Sequence, residues 1–152
     1  MKPEEVKERL LGALHTLEEQ DSYLFENNLS ERCIASRLAM YLQRAIPEFS
    51  VDVEYNRKGS DPKTLKLPEE CGKRTKDGEF LVLQDIIVHR RGSEGPNILA
   101  IELKKTTNPE PRFCDHVRIH AFREQLDYGC AAFIECETRP DHKPSATVVE
   151  WL

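Results

Sequence analysis

Apolar residues recur at helical spacing in two stretches near the start of the chain. Residues 3–19 place four of them on one face, namely Val6, Leu10, Leu14 and Leu17. Residues 31–46 carry a second stripe, which Ser30, a residue type that caps helix N-termini, precedes and Pro47 follows. This spacing predicts two amphipathic helices.

After Pro47 the pattern changes to the alternation and short apolar runs that are typical of strands. Strands are predicted at residues 49–57, 79–90, 97–104, 130–136 and 146–152, and one further helix at residues 115–129, ending at Gly129. Residues 58–78 are rich in lysine, glycine and proline and show no periodicity, which predicts a long loop. The order of elements predicts an α/β fold in which helices flank both sides of a central mixed β-sheet.

The length of 152 residues fits a single domain. We divide it into a helical extension at residues 1–29, a core at residues 30–136, and a C-terminal strand and tail at residues 137–152. The chain lacks a run of about 18 apolar residues and begins with an acidic, amphipathic segment, so neither a membrane span nor a secretory signal is predicted. A cytoplasmic protein is expected, and five cysteines without C-x-x-C spacing predict reduced thiols.

Charge is distributed unevenly along the chain. The net charge of -5 argues against a protein that coats nucleic acid through bulk electrostatics. Residues 1–56 carry a net charge of -5, residues 57–105 carry +3 and residues 106–152 carry -3. The basic middle third contains the two strands at residues 79–90 and 97–104, which a turn rich in glycine joins into a predicted hairpin.

Charged residues interrupt both strands of this hairpin. Asp85 lies in the first apolar run, and Glu102 and Lys104 lie in the second. If the hairpin is symmetric about its turn, Asp85 stands opposite Glu102, and the two carboxylates repel unless a cation lies between them. Glu102 and Lys104 project to one side of their strand, and the intervening Leu103 leaves its carbonyl oxygen as a further ligand. We therefore expect Asp85, Glu102 and Leu103 to hold a divalent metal ion. The expected ion is Mg²⁺, which Mn²⁺ could replace.

This set of residues suits the hydrolysis of phosphodiester bonds. Carboxylates that hold Mg²⁺ incompletely leave positions for a phosphate oxygen and for a water whose pKa the metal lowers. Lys104 would orient that water or stabilise the charge that develops on the phosphate. The chain has neither a glycine-rich phosphate loop nor a G-x-S-x-G motif, which excludes nucleoside triphosphate hydrolysis and serine hydrolysis.

The order Asp85, Glu102, Lys104 on two strands, after a helix that begins near Glu31, resembles the restriction-endonuclease-like PD-(D/E)xK nucleases, and in particular their small stand-alone bacterial members. Gln84 stands in place of the proline that names the motif. The resemblance implies a restriction-endonuclease-like core with an extra N-terminal helix, Mg²⁺ as cofactor, Asp85 and Glu102 as metal ligands, and Lys104 and Glu31 as catalytic residues. It also implies a nucleic-acid substrate, with DNA favoured over RNA, and a homodimer would let so small a chain reach both strands of a duplex.

Basic residues around the hairpin are candidate contacts to the phosphate backbone. They are Arg57, Lys58, Lys63, Arg90, Arg91, Lys105 and Arg118. Solvated surface charge explains these residues equally well.

Several other interpretations stay open. The charged hairpin residues would also form a structural salt-bridge cluster, and Glu31 would serve equally as an acid that complements the helix dipole. The main alternative function is a catalytically silent module of the nuclease fold that binds a protein partner. A third alternative is a zinc-binding regulator with its site at Cys114, His116 and His120, although no second ligand group of suitable spacing accompanies these residues.

Overall fold

The structure is a computed structural model that describes residues 1–55, 64–71, 80–81, 84–93 and 95–152. Its helices are α1 (Pro3–Gln20), α2 (Ser22–Glu26), α3 (Glu31–Ala45) and α4 (Phe113–Gln125). Its strands are β1 (Ser50–Val53), β2 (Thr64–Leu65), β3 (Phe80–Leu81), β4 (Ile86–His89), β5 (Asn97–Lys105), β6 (Tyr128–Cys136) and β7 (Ala146–Trp151). A 3₁₀ turn spans Glu69–Cys71.

The two predicted N-terminal helices are confirmed. Helix α1 begins at Pro3, where the missing N–H and fixed φ of proline suit the first turn. Ser30 caps α3, because its Oγ accepts a hydrogen bond from the Cys33 N–H at 3.1 Å. Helix α3 ends at Ala45, shortly before Pro47, and the short helix α2 was not predicted.

The central sheet is mixed, as predicted. Its five strands lie in the order β1-β4-β5-β6-β7. Strands β5 and β6 are parallel and are connected through α4, while the other three pairings are antiparallel. A parallel pair needs such a crossover connection, whereas antiparallel neighbours do not. The longest strands, β5 and β6, therefore form the centre of the fold.

Helices cover both faces of the sheet, which also agrees with the prediction. On one face, α1 and α3 pack against alternate strand residues that include Ile101 and Leu103. On the other face, Ile119 and Phe122 of α4 pack against Ala100 and its neighbours. Because strand side chains alternate between faces, Glu102 and Lys104 lie on the α4 side. No helix in the described part of the chain is long and apolar enough to cross a membrane.

The predicted strand at residues 79–90 is wrong in extent. Strand β4 starts only at Ile86, and β3 pairs with β2 in a separate two-stranded sheet. Asp85 lies in a bend, and the N–H of Glu54, a residue with φ 53°, donates to the carbonyl oxygens of both Gln84 and Asp85. At this shared hydrogen bond the regular β1–β4 pairing stops with Ile86, so it does not include Asp85. Strand β2 and the 3₁₀ turn also lie inside the predicted loop at residues 58–78.

Helix α4 does not extend to a cap at Gly129. Its last turn closes with a hydrogen bond from the Leu126 N–H to the Phe122 carbonyl, and Asp127 then takes a left-handed conformation with φ 56°. Aspartate tolerates this conformation better than most residues. Gly129 lies inside β6, which starts at Tyr128.

A disulfide joins Cys71 to Cys114, with Cα atoms 5.2 Å apart. The prediction of reduced thiols is therefore wrong for this pair, whose 43-residue separation in sequence gives no local signal. Cys33, Cys130 and Cys136 are free, and the last two are buried. The disulfide ties the 3₁₀ turn to the first turn of α4.

Candidate active site

The register of the β4–β5 hairpin agrees with the prediction. Ile86 pairs with Ile101 and Ile87 pairs with Ala100, and the same register continued by one residue sets Asp85 against Glu102. Asp85 Oδ2 accepts a hydrogen bond from the Leu103 N–H at 2.7 Å, which brings its carboxylate against this part of β5.

Strand β5 extends beyond the start of β4, and side-chain carboxylates replace the missing strand. Asp85 accepts from the Leu103 N–H, and Glu31 Oε2 accepts from the Lys105 N–H at 2.7 Å. The N–H and C=O of one strand residue face the same neighbour, so the Leu103 carbonyl opens towards this edge as well. Asp85, Glu31 and the Leu103 carbonyl therefore share one edge of β5, and Glu31 does more than complement the dipole of α3.

Lys104 does not neutralise the two hairpin acids. Its Nζ lies 2.7 Å from Asp115 Oδ2, an ion pair without hydrogen-bond geometry, and 3.6 Å from Glu110 Oε2. Both Lys104 and Asp115 are buried, with 5% and 1% of their surface exposed. The expectation that the ammonium converges on Asp85 and Glu102 is thus corrected, because the first turn of α4 supplies a closer acid.

Arg118 lies inside this cluster and pairs with two of its acids. Its Nη2 lies 2.7 Å from Asp115 Oδ1, and its Nε lies 3.4 Å from Glu102 Oε2. The side chain is 22% exposed, so part of the guanidinium still reaches solvent. Asp115 links Lys104 to Arg118.

The cluster carries more negative than positive charge. Glu31, Asp85, Glu102 and Asp115 contribute four carboxylates, against the single positive charges of Lys104 and Arg118. Burial raises the pKa of Glu102 well above its usual value, and the charge of Asp85 raises it further. Burial likewise raises the pKa of Asp85 to about 6 against the hydrogen bond from Leu103, and the charge of Glu31 adds to the rise. If all four acids were ionised, the cluster would have two more negative charges than positive charges.

Buried polar atoms without a hydrogen bond belong to two acids of the cluster and to Gln84, which precedes Asp85 in the chain. Among the described residues, the buried side-chain nitrogen and oxygen atoms that lack a hydrogen bond are Gln84 Nε2, Gln84 Oε1, Glu102 Oε1 and Asp115 Oδ2. Such atoms are rare in folded proteins, because each one costs free energy comparable to a lost hydrogen bond. Of these atoms, Asp115 Oδ2 is paired with Lys104 Nζ at 2.7 Å, whereas Glu102 Oε1 lies among the carboxylates without a hydrogen bond.

The donor set at the hairpin end fits Mg²⁺. In the described ranges, no three His, Cys, Asp or Glu side chains are grouped so as to hold a metal ion. The fit therefore rests on two carboxylates, Asp85 and Glu102, with the Leu103 carbonyl and water. Mg²⁺ is commonly bound in this way, because it keeps several waters and takes only one or two carboxylates. The unpartnered Glu102 Oε1 is the atom that such an ion would satisfy.

The raised pKa of Asp85 predicts how the metal-free protein responds to pH. Because the folded state keeps this proton to about pH 6 and the unfolded chain loses it near the usual value of 3.8, Asp85 lowers stability as pH rises through that window. We expect Asp85→Asn to match the wild type near pH 4 and to be up to about 3 kcal/mol more stable at pH 7. Urea unfolding of both proteins in EDTA at the two pH values measures this difference, and a difference independent of pH would contradict the burial of a charged Asp85.

The predicted phosphate contacts are not gathered in one place. Arg91 Nε donates to Asp52 Oδ2 at 2.8 Å, and Arg90 lies over the ring of Phe49, so both belong to the turn end of the hairpin, away from Asp85. Lys105 Nζ donates to Asn28 Oδ1 at 3.0 Å, next to the site. Arg57, Lys58 and Lys63 lie outside the described residues. Of the predicted basic residues, only Lys105 and Arg118 lie beside the carboxylates among those described.

The interpretation of Cys114, His116 and His120 as zinc ligands is not supported by the structure. Cys114 is bonded to Cys71 and has no thiolate to offer. His116 Nδ1 lies 2.7 Å from Glu150 Oε1 and His120 Nε2 lies 3.1 Å from Glu150 Oε2, so both rings pair with a carboxylate of β7. These contacts join α4 to the sheet edge.

A cavity of about 490 Å³ opens beside the carboxylates. Its lining includes Lys104, Arg118, Phe113 and the disulfide cysteines. The two cations thus face an open volume on one side and the buried acids on the other. Glu70 and Glu110 also line the cavity, so two cations and two acids face the same open volume.

The sequence did not single out Asp115, which belongs to the cluster, or the buried Gln84, which precedes Asp85. Asp115 reads as an ordinary acid in the first turn of a helix, and Gln84 as a departure from a motif. The spacing of Asp115 and Arg118, three residues apart on one helix, was the only local signal of their pairing.

In comparisons with family models, with curated proteins and with solved structures, nothing matches this chain.

Proposed function

We propose that this protein is a Mg²⁺-dependent nuclease that hydrolyses phosphodiester bonds at the end of the β4–β5 hairpin. The observation that carries the proposal is the buried cluster of four carboxylates and two cations, in which Glu102 Oε1 has no hydrogen-bond partner. A structural salt-bridge cluster predicts the opposite, namely balanced charge and satisfied hydrogen bonds.

Asp85, Glu102 and the Leu103 carbonyl would hold the ion. A bound Mg²⁺ supplies Lewis-acid polarisation of the phosphate and a water of lowered pKa. Glu31 shares the edge of β5 with these groups and accepts from the Lys105 N–H, so its carboxylate is positioned to receive a hydrogen bond from water there. Asp85 is held in place by the Leu103 N–H.

Lys104 and Arg118 are the residues we assign to the phosphate. Both line the 490 Å³ cavity, and both are held by Asp115, which fixes where their charges lie. Positive charge that is positioned in advance stabilises the negative charge that grows on the phosphate oxygens in the transition state. Lys104 is the more buried of the two, and Arg118 is the one that also contacts the proposed metal ligand Glu102.

Cleavage of single- and double-stranded DNA and RNA tests the proposal. With Mg²⁺ or Mn²⁺ we expect cleavage that EDTA abolishes, and a loss of about 100-fold or more in Asp85→Asn, which keeps an oxygen to accept from Leu103 but loses the charge. Glu8→Gln is the matched control, because Glu8 is an exposed acid on α1 and the variant removes the same charge. No cleavage of any substrate, or equal rates in all three proteins, would reject the nuclease and favour the protein-binding module.

A further inference from the structure

Phe113 is a large aromatic side chain that the fold leaves in solvent. It is the first residue of α4 and is 56% exposed. In the described part of the chain, the other exposed large apolar residues are Met1, Leu11, Tyr23 and Val149. None of these lines the cavity beside Lys104 and Arg118, whereas Phe113 does.

Phe113 separates two cavities that both contain basic side chains. On one side lies the 490 Å³ cavity with Lys104 and Arg118. On the other side lies a cavity of about 320 Å³, whose lining includes Lys66, His116 and His120. Phe113 therefore borders both cavities, and each also has a lysine in its lining, Lys104 in the larger and Lys66 in the smaller.

This arrangement matches the chemistry of an unpaired nucleotide in a strand, in which a flat base projects from a sugar that lies between two phosphates. An exposed aromatic ring stacks on any base, because every base has a π face. A base inside a duplex is already stacked and paired, so it cannot take this position without leaving the helix. Resting on the proposed nuclease function, we propose that the substrate carries unpaired nucleotides beside the scissile phosphate, and that one of their bases stacks on Phe113.

Charge alone does not explain binding at this place. Glu70 and Glu110 also line the larger cavity and Glu124 lines the smaller one, and the whole chain carries a net charge of -5. Acids around the cations weaken the attraction of a duplex backbone, which depends on many phosphate contacts. Stacking on Phe113 supplies an attraction that does not depend on net charge. The contribution of Phe113 to binding should therefore be the same at low and at high salt, whereas the phosphate contacts weaken with salt.

Oligonucleotide binding in EDTA, which prevents cleavage, tests the inference with the whole chain. Fluorescence anisotropy with single strands of about 12 nucleotides, as DNA and as RNA, and with the corresponding duplexes gives the affinities. We expect Phe113→Leu to bind single strands about 5- to 100-fold more weakly, and Phe113→Trp to bind them as well as the wild type. Tyr23→Leu is the control, because Tyr23 is an exposed aromatic residue on α2 that lines neither of the two cavities.

A base analogue reports the stacking itself. We expect the fluorescence of a 2-aminopurine nucleotide to be quenched by the wild type and by Tyr23→Leu, but not by Phe113→Leu. Equal single-strand affinity in Phe113→Leu and the wild type, equal losses for single strands and duplexes, or no binding of either would each overturn the inference. If the protein cleaves duplexes in a metal-dependent reaction that Phe113→Leu leaves unchanged, the stacking inference is overturned and the nuclease proposal stands. If single strands bind in a Phe113-dependent way and no substrate is cleaved, the stacking inference is supported and the nuclease proposal fails.

Discussion

Replacing Lys104 with methionine is expected to lower the free energy of unfolding by about 3 kcal/mol and to lower the rate of cleavage by about 100-fold or more. Lys104 is buried, and its ammonium lies 2.7 Å from Asp115 in a cluster that already carries excess negative charge. Methionine keeps most of the volume but leaves Asp115 with Arg118 as its remaining partner. Removing Lys104 leaves the buried Asp115 with one of its two cations, and a buried charge that loses a partner costs several kcal/mol, which is why the expected cost is large.

Urea unfolding in EDTA measures this loss, and Lys143→Met is its control. Lys143 is exposed, so the same substitution there should change stability by less than about 0.5 kcal/mol. Equal stability of the Lys104→Met and Lys143→Met proteins would show that the ion pair with Asp115 does not hold the site together. Cleavage is compared at a temperature where both variants are folded, which separates the chemical role of Lys104 from its role in folding.

Replacing Glu102 with glutamine is expected to abolish cleavage and at the same time to stabilise the metal-free protein. Burial holds the pKa of Glu102 well above its usual value, and this rise means that the folded state disfavours its charge. Glutamine has the same shape without the charge, so the metal-free variant should be more stable than the wild type at pH 7.5 by about 1 kcal/mol or more. A residue retained at such a cost to folding is typical of a functional site.

Mg²⁺ should reverse this order. An ion that binds only the folded wild type adds about 2.7 kcal/mol of stability at 100 times its dissociation constant. The Glu102→Gln protein lacks one carboxylate and should gain little. Thermal unfolding of both proteins, with and without Mg²⁺, measures whether their order of stability reverses. A wild type that is more stable than Glu102→Gln without metal, or that gains nothing from Mg²⁺, would contradict the assignment of Glu102 as a ligand.

Local patterns predicted the elements that form the frame of the site. Helical spacing and the Ser30 cap located α3 and with it Glu31, and alternation put Glu102 and Lys104 on one face of β5. The hairpin register followed from symmetry about the turn, and the structure keeps it from Ile86 to Val88 before it shifts at His89. These features depend on residues that are neighbours in sequence or across one turn, so a single sequence contains the information that fixes them.

Contacts between distant elements decided what the sequence did not reveal. Asp115 captures Lys104 because α4 packs against the β5 face, and Cys71 bonds Cys114 because the 3₁₀ turn lies against the same helix. Neither contact leaves a periodic signal. The break before Ile86 also has a distant cause, because the Glu54 N–H from the neighbouring strand ends the pairing there. A single sequence predicts such packing poorly, since it depends on how whole elements are arranged in space.

The central claim of the proposal is a cation between Asp85 and Glu102, and Mn²⁺ binding tests this claim directly. The electron paramagnetic resonance signal of free Mn²⁺ falls as the ion binds, which gives an affinity for each protein. We predict equal affinities for the wild type and Glu8→Gln, and binding by Glu102→Gln that is weaker by about tenfold or more. The same affinity in all three proteins, or no binding by the wild type, would contradict a metal site at the end of this hairpin.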